Sequence, residues 1–247
     1  MIDGLTIHQL RCFDAVVSEG SFQAAAEKLR RSQPTISSSI KNLLPEVLGL
    51  LRRFFDGCPG TRLHLYFEAI SGPWERLFDD EADLILHHID RTDPRLESID
   101  LFTVQLVPVV APHFLRFAIS RSITPEQMRG YVQCVIRDTA RRPAPRSYYL
   151  IEGAQSWTVS DQLMKRELIL QGMGWGHMPR YLIEQDLRDR SLLAITGRYF
   201  KGGQADIVAA RRRNISHGPI ANRLWRYIEE QAPLLNGVSK QRSGRRM

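Results

Sequence analysis

The sequence has little of what would place it outside the cell or in a membrane. Its 247 residues hold three cysteines, Cys12, Cys58 and Cys134, an odd count without a CxxC spacing. Such scattered thiols build neither a disulfide framework nor a zinc cluster, and they point to a reducing compartment. No apolar run approaches the ~18–20 residues of a membrane span. The opening Met1-Ile2-Asp3-Gly4 lacks the basic and apolar regions of a signal peptide. A cytoplasmic protein with no membrane partner is expected.

Catalytic signatures are missing as well. His64, His87, His88 and His113 have no HxxxH or HExxH spacing, and Cys58 is not placed to complete a metal site. Gly172-Met173-Gly174-Trp175-Gly176 has its glycines where neither the dinucleotide nor the P-loop fingerprint needs them, and no lysine follows. Gly20-Ser21 and Ser71-Gly72 are not embedded in a GxSxG elbow. No triad or paired carboxylates stand out. Neither an enzyme nor a bound metal or cofactor is expected.

What is present is an ordinary globular composition, 43% hydrophobic and 25% charged, long enough for one or two domains. The net charge of +7 resembles a nucleic-acid signal, but Lys240, Arg242, Arg245 and Arg246 supply four of those charges within the last eight residues. Residues 1–43 carry five Lys and Arg against four Asp and Glu. Residues 237–247 are expected to form a solvated, disordered basic tail that touches phosphates at most nonspecifically. Charge does not decide the function. The motifs must.

Thr6 with Gln9 has the pattern of a capping box, in which each side chain satisfies an orphan backbone donor. Leu10, Phe13, Val16 and Val17 then recur at helical spacing, and Gly20 closes the helix. Ser21 caps a second helix with Phe22, Ala25, Ala26 and Leu29 on one face. Arg30-Arg31 form a turn. Ser32 caps a third helix, whose first turn tolerates Pro34 because no backbone donor is needed there. Ile36, Ile40 and Leu43 share its apolar stripe. The opposite face holds Pro34, Ser38 and Lys41, flanked by Thr35, Ser37 and Asn42. Short hydrogen-bonding side chains of this kind suit either a major groove or a plain solvated face.

The order Gln9-Leu10-Arg11-Cys12-Phe13, Gly20-Ser21-Phe22-Gln23-Ala24-Ala25-Ala26-Glu27-Lys28-Leu29, Ser32-Gln33-Pro34-Thr35-Ile36-Ser37 resembles the helix-turn-helix of LysR-type transcriptional regulators. That resemblance implies a recognition helix beginning at Gln33 and double-stranded DNA as a partner. Gln33, Pro34, Thr35, Ser37 and Ser38 would face the groove. Arg30, Arg31 and Lys41 would contact phosphates. The family pattern continues with a wing, a dimerising linker helix and the first strand of the sensor domain, and these are absent between Leu43 and Leu44. A natural deletion, an artificially joined chain, or residues lost from that point would each give this junction. If the chain is continuous, Leu44 is expected to be extended, because proline disfavours helix in the residue before it.

Residues 44–236 alternate amphipathic helices with short apolar runs, an α/β pattern. Val47, Leu50, Leu51, Phe54 and Phe55 make a helix face ended by Gly57 and Pro59. Strands are expected at Leu63–Phe67, Leu84–Leu86, Leu101–Val110, Tyr131–Ile136 and Ala205–Ala209. Helices are expected around Trp74-Leu77-Phe78, after Thr124-Pro125-Glu126, around Leu163-Leu168-Leu170, and over Ile220–Ile228. The stretches Pro59-Gly60-Thr61-Arg62-Leu63, Asp83-Leu84-Ile85-Leu86, Val107–Pro112 and Gly172–Pro179 resemble the LysR-type effector domain. This implies two α/β subdomains like those of periplasmic binding proteins, joined by segments placed near Val110-Ala111-Pro112 and Gln204-Ala205-Asp206.

The expected architecture is therefore α/β, with an all-α helix-turn-helix over residues 1–43 and an effector domain over residues 44–236. A small-molecule effector would bind between the subdomains at loops that follow strands. Ser71, His88, Arg137, Gly174 and Trp175 are the candidate contacts, and Arg137 would suit an effector carboxylate. Arg137 also fits a surface ion pair, His88 a satisfied edge histidine, and Trp175 a core position. Three functions compete: a homo-oligomeric DNA-binding regulator, a ligand-binding module that disables full-length relatives by mixed oligomerisation, and an enzyme on the same scaffold.

Overall fold

The computed structural model describes residues 45–142 and 148–244. The three helices expected at the N-terminus, the expected burial of Ile36, Ile40 and Leu43, and the Leu43–Leu44 junction all lie outside the described residues. The chain divides into two compact units, residues 1–67 and 68–247.

In the first unit, helix α1 spans Pro45–Asp56. Val47, Leu50, Leu51 and Phe54 are buried at three- and four-residue spacing, as the apolar stripe demands. Phe55 meets Phe54 edge-on at 5.0 Å. The expected strand Leu63–Phe67 does not form. Residues 61–69 pair with no strand among the described residues, and Leu63, Leu65, Tyr66 and Phe67 are all exposed.

The second unit is built on two long antiparallel strands, β2 (Leu96–Val110) and β7 (Gly203–Arg212). They pair from Leu96↔Arg212 to Leu106↔Gly203, with an irregularity between Asp100 and Phe102. At one end β1 (Ile85–His87) adds to β7. There Leu77, Ile85, Ile89, Leu96, Val208 and Ala210 form a core, covered by Trp74 and Phe78 of helix α2 (Gly72–Phe78). This is the first subdomain.

At the other end β5 (Gly176–Pro179) and β6 (Leu193–Ala194) pair with β2. A parallel pair, β3 (Gln133–Ile136) and β4 (Ser156–Val159), is connected to β5 through a bridge between Gln133 and Trp175. Helices α3 (Pro125–Arg129), α4 (Gln162–Leu170) and α5 (Glu184–Arg188) complete this second subdomain. Thr124 and Gln127 close a capping box on α3, and Asp161 accepts from two backbone N–H groups at the start of α4. Two cores, one around Ile169 and Met178 and one around Trp175 and Met128, lie here.

Helix α6 runs Pro219–Gly244 and packs along β2. Its backbone stays helical through most of the stretch expected to be a disordered tail. The basic residues of that stretch favour solvation over packing, but a helix once nucleated by Leu224, Trp225 and Ile228 propagates at small cost per residue.

Candidate effector cleft

Among the described residues only β2 and β7 carry strand pairing from one subdomain core to the other. Val208 belongs to the core of the first subdomain, and Val109 and Val110 to the two cores of the second. The crossing therefore lies between them, where Thr103–Gln105 faces Gln204–Asp206. Thr103 Oγ1 donates to Asp206 Oδ1 at 2.7 Å there. The second crossing segment sits where it was expected. The first lies earlier than Val110–Pro112, because Val109 and Val110 are fully buried in the second core.

Beside the crossing, the loop before α2 meets the loop after β3. Ala69 N–H donates to Thr139 Oγ1 at 2.9 Å, and Thr139 N–H donates back to Ala69 O at 3.3 Å. Ser71 N–H donates to Asp138 Oδ1 at 3.0 Å, and so does Ala140 N–H at 3.1 Å. Farther along, Arg141 N–H donates to Glu75 Oε2 at 2.7 Å. Its guanidinium reaches Glu75 at 3.2 Å, Asp79 at 3.2 Å and Glu81 at 2.8 Å. The Arg141 N–H beside Glu75 holds that carboxyl below its usual value, with the guanidinium adding to the effect.

The five expected contacts separate into two groups. Ser71 and Arg137 stand on the two loops that meet. Arg137 is exposed, and its N–H donates to Val159 O at 2.8 Å. His88 is exposed at the end of β1. Its neighbour His87 turns inward instead, with Nε2 2.9 Å from Ile70 O, and burial lowers its pKa. Gly174 and Trp175 are not on these loops. Trp175 is 0% exposed, packed edge-on against Phe200 at 5.4 Å in the second core. Trp175 does not stand at the surface with the other three side chains, because it follows α4 into the sheet rather than ending on a surface loop. Gly174 lies where a Cβ would come within 2.6 Å of Cys134 Sγ and 3.0 Å of Val132 O. It is a close-packing glycine.

The same core holds a buried polar cluster. Lys165 Nζ donates to His177 O at 2.8 Å, and the lysine side chain is desolvated enough to lower its pKa to about 8. Burial, followed by the lysine charge, lowers His177 to about 4. The His177 ring stacks on Tyr149 at 4.3 Å. Gln133 is bound on both amide atoms, donating to Tyr149 O at 2.6 Å and accepting from Ile151 N–H at 3.0 Å.

Asp138, Thr139, Arg141 and Glu75 were not among the expected contacts. The signal for the first three was the polar run that directly follows strand β3. Arg30, Arg31, Gln33, Pro34, Thr35, Ser37, Ser38 and Lys41 lie outside the described residues. Among the described residues no group of three or more metal-ligating side chains gathers, and no helix is long and apolar enough to cross a membrane.

Two α/β subdomains joined by a strand pair define a bilobal α/β module. Comparison with known proteins gives its family. The LysR substrate binding domain model matches residues 35–233, and the model of the bacterial regulatory helix-turn-helix protein, lysR family, matches residues 7–46. The chain belongs to the LysR family.

The chain is 27% identical over 146 residues to the HTH-type transcriptional regulator YeeY of Escherichia coli K12, covering 58% of this chain and 47% of that protein. It is 27% identical over 157 residues to YhaJ of E. coli O157:H7, covering 62% and 52%. Thus it spans about half the length of these curated relatives. The activator AllS of Klebsiella pneumoniae is 23% identical, covering 76% of this chain and 94% of that one. In fold it is similar to full-length HypT of Salmonella typhimurium, with TM-score 0.53, 16% identity, and coverage of 94% and 99%. The regulatory domain of MetR from Neisseria meningitidis matches with TM-score 0.55, 17% identity, and coverage of 76% and 87%. LysG of Corynebacterium glutamicum with bound effector Arg matches with TM-score 0.52, 14% identity, and coverage of 91% and 97%.

Proposed function

We propose that this protein is a homo-oligomeric transcriptional regulator whose binding to double-stranded promoter DNA responds to a small-molecule effector held between its two subdomains. The succession of the two LysR-family matches in one chain carries this reading. Arg30, Arg31 and Lys41 serve as phosphate contacts, with Gln33, Pro34, Thr35, Ser37 and Ser38 at the groove. Ser71 and Arg137 line the effector cleft from opposite loops, His88 stands at its rim, and Gly174 and Trp175 hold the second subdomain's side from within. A small carboxylate is the effector class that Arg137 suits. The Arg bound to LysG carries that group. The protein acts by binding and shifting populations, not by catalysis.

The test is selection of sites from a pool of genomic DNA fragments, followed by fluorescence anisotropy across a salt series. Phosphate-driven affinity must fall steeply as salt rises, and the Arg30→Ala, Arg31→Ala double variant should flatten that slope. Binding that is absent at low salt, or indifferent to salt, sinks the reading.

A further inference from the structure

A bilobal module joined by two strands can open and close about them, so contacts made elsewhere between its lobes decide how freely it does so. The contacts of the Asp138–Arg142 loop fall on the first subdomain, on Ala69, Ser71 and the carboxylates from Glu75 to Glu81. They are of two kinds. Thr139 is seated sterically: a side chain at Gly72 would overlap its Oγ1, so only glycine leaves the seat open. Arg141 and Arg142 are seated electrostatically. Glu75 of α2 and Asp79, which caps the helix's C-terminal end, are four residues apart, where like charges repel unless neutralised. Arg141 bridges both and Glu81, and Arg142 joins Asp79 at 3.1 Å. Arg76 pairs with Glu68 and Glu81 from the same side.

We propose that the Asp138–Arg142 loop is a latch that holds the second subdomain closed against α2 and releases as a unit. With the latch open, Glu75, Asp79 and Glu81 lose Arg141, and Ala69 and Ser71 lose their acceptors, so the closed arrangement is a defined state. Its regulatory meaning rests on the effector reading above. The Ser71 N–H that Asp138 occupies is the donor for which a carboxylate effector would compete, so ligand entry and latch release are the same event.

Hydrogen exchange on the full chain without ligand tests the latch itself. Arg141→Ala should speed exchange at the amides of Ala69, Ser71 and Thr139 by about fivefold or more, while the paired amides of β2 and β7 keep their protection. Thr139→Val, which keeps shape but removes the hydroxyl, should give the same local signature. Unchanged exchange at Ala69 and Ser71 in both variants overturns the proposal. So does a rise that spreads equally into β2 and β7, since Arg141 would then be a general structural contact. No ligand or DNA enters this measurement, so a failed latch leaves the effector reading standing, and a failed promoter response leaves the latch standing.

Discussion

Replacing Lys165 by methionine should stabilise the protein at neutral pH and destabilise it in alkali. The ammonium is 6% exposed and makes a hydrogen bond to His177 O at 2.8 Å. Burial lowers its pKa from 10.5 to about 8. The shift measures how much the folded state disfavours the charge. At about 1.4 kcal/mol per unit it amounts to roughly 3 kcal/mol of destabilisation, fully present below pH 8. Methionine fills a similar volume and removes that cost. It also strands one carbonyl, which costs about 1–2 kcal/mol. The net at pH 7 is a gain of about 1–2 kcal/mol.

The sign then reverses with pH. Between about 8 and 10.5 the unfolded chain binds a proton at Lys165 that the folded chain has already released. The native protein therefore gains stability as pH rises through this window, and the variant does not. By pH 10.5 only the lost hydrogen bond should remain, and the variant should be the less stable of the two. Urea unfolding of both proteins from pH 6 to 10.5, taken as a difference, cancels the titrating groups that Lys165 does not touch. A Cys134→Ala background removes the one thiol coupled to the lysine charge within the alkaline window. A difference that does not change with pH, or a variant already weaker by 2 kcal/mol at pH 7, would refute the reasoning.

Gly174→Ala should cost about 1–3 kcal/mol, because its Cβ would meet Cys134 Sγ at 2.6 Å and Val132 O at 3.0 Å. Adding Cys134→Ala should recover part of that loss in thermal unfolding, and no recovery would mean the sulfur is not the obstacle. Trp175→Phe should lower the melting temperature while leaving the DNA response to effector unchanged, since Trp175 lies in the core around Met128 and Phe200. A normal melting temperature with a lost response would return Trp175 to the effector site.

How much of this was legible in the sequence depends on which residues dominate each segment. Where apolar residues recur at the right period, as in α1, or where a capping box stands beside proline, as at Thr124 and Gln127, the local chemistry dictates the element. Strand β5 is the opposite case. Gly176, His177, Met178 and Pro179 have little strand preference, and no strand is expected there from the sequence. They form a strand because β2 offers partners from Leu106 to Val109 and the site is fully buried. The histidine pair shows how fine the margin is. In β1 the buried Ile85 fixes which face points inward, and the alternation of a strand sends His87 to that side and His88 to solvent. Choosing between adjacent residues required the register, which is a tertiary fact. The latch was harder still. Asp138 and Arg141 acquire meaning only from Ser71 and Glu75, more than sixty residues away.

The extended run from Leu63 to Phe67, which forms no strand, follows from the same logic and bears on the expectation for the junction at Leu43 and Leu44. Its residues alternate and are rich in strand formers, so the sequence preference for an extended chain is met: no helix forms there. Extended backbone becomes a strand only when a neighbour supplies hydrogen bonds. The family resemblance lacks the first strand of the sensor domain at this point in the chain, and among the described residues no other strand takes its place. Leu63, Leu65, Tyr66 and Phe67 are left with exposures of 44%, 48%, 54% and 66%. A soluble protein rarely leaves such side chains contiguous and open to water. If a strand is missing at the junction, an exposed run is what its loss should produce: a segment whose sequence still specifies half of a pair. Restoring a family-length insertion between Leu43 and Leu44 should bury Leu65 and Phe67 and protect their amides from exchange. Unchanged exchange after that restoration would show that the run is open for a reason unrelated to the junction.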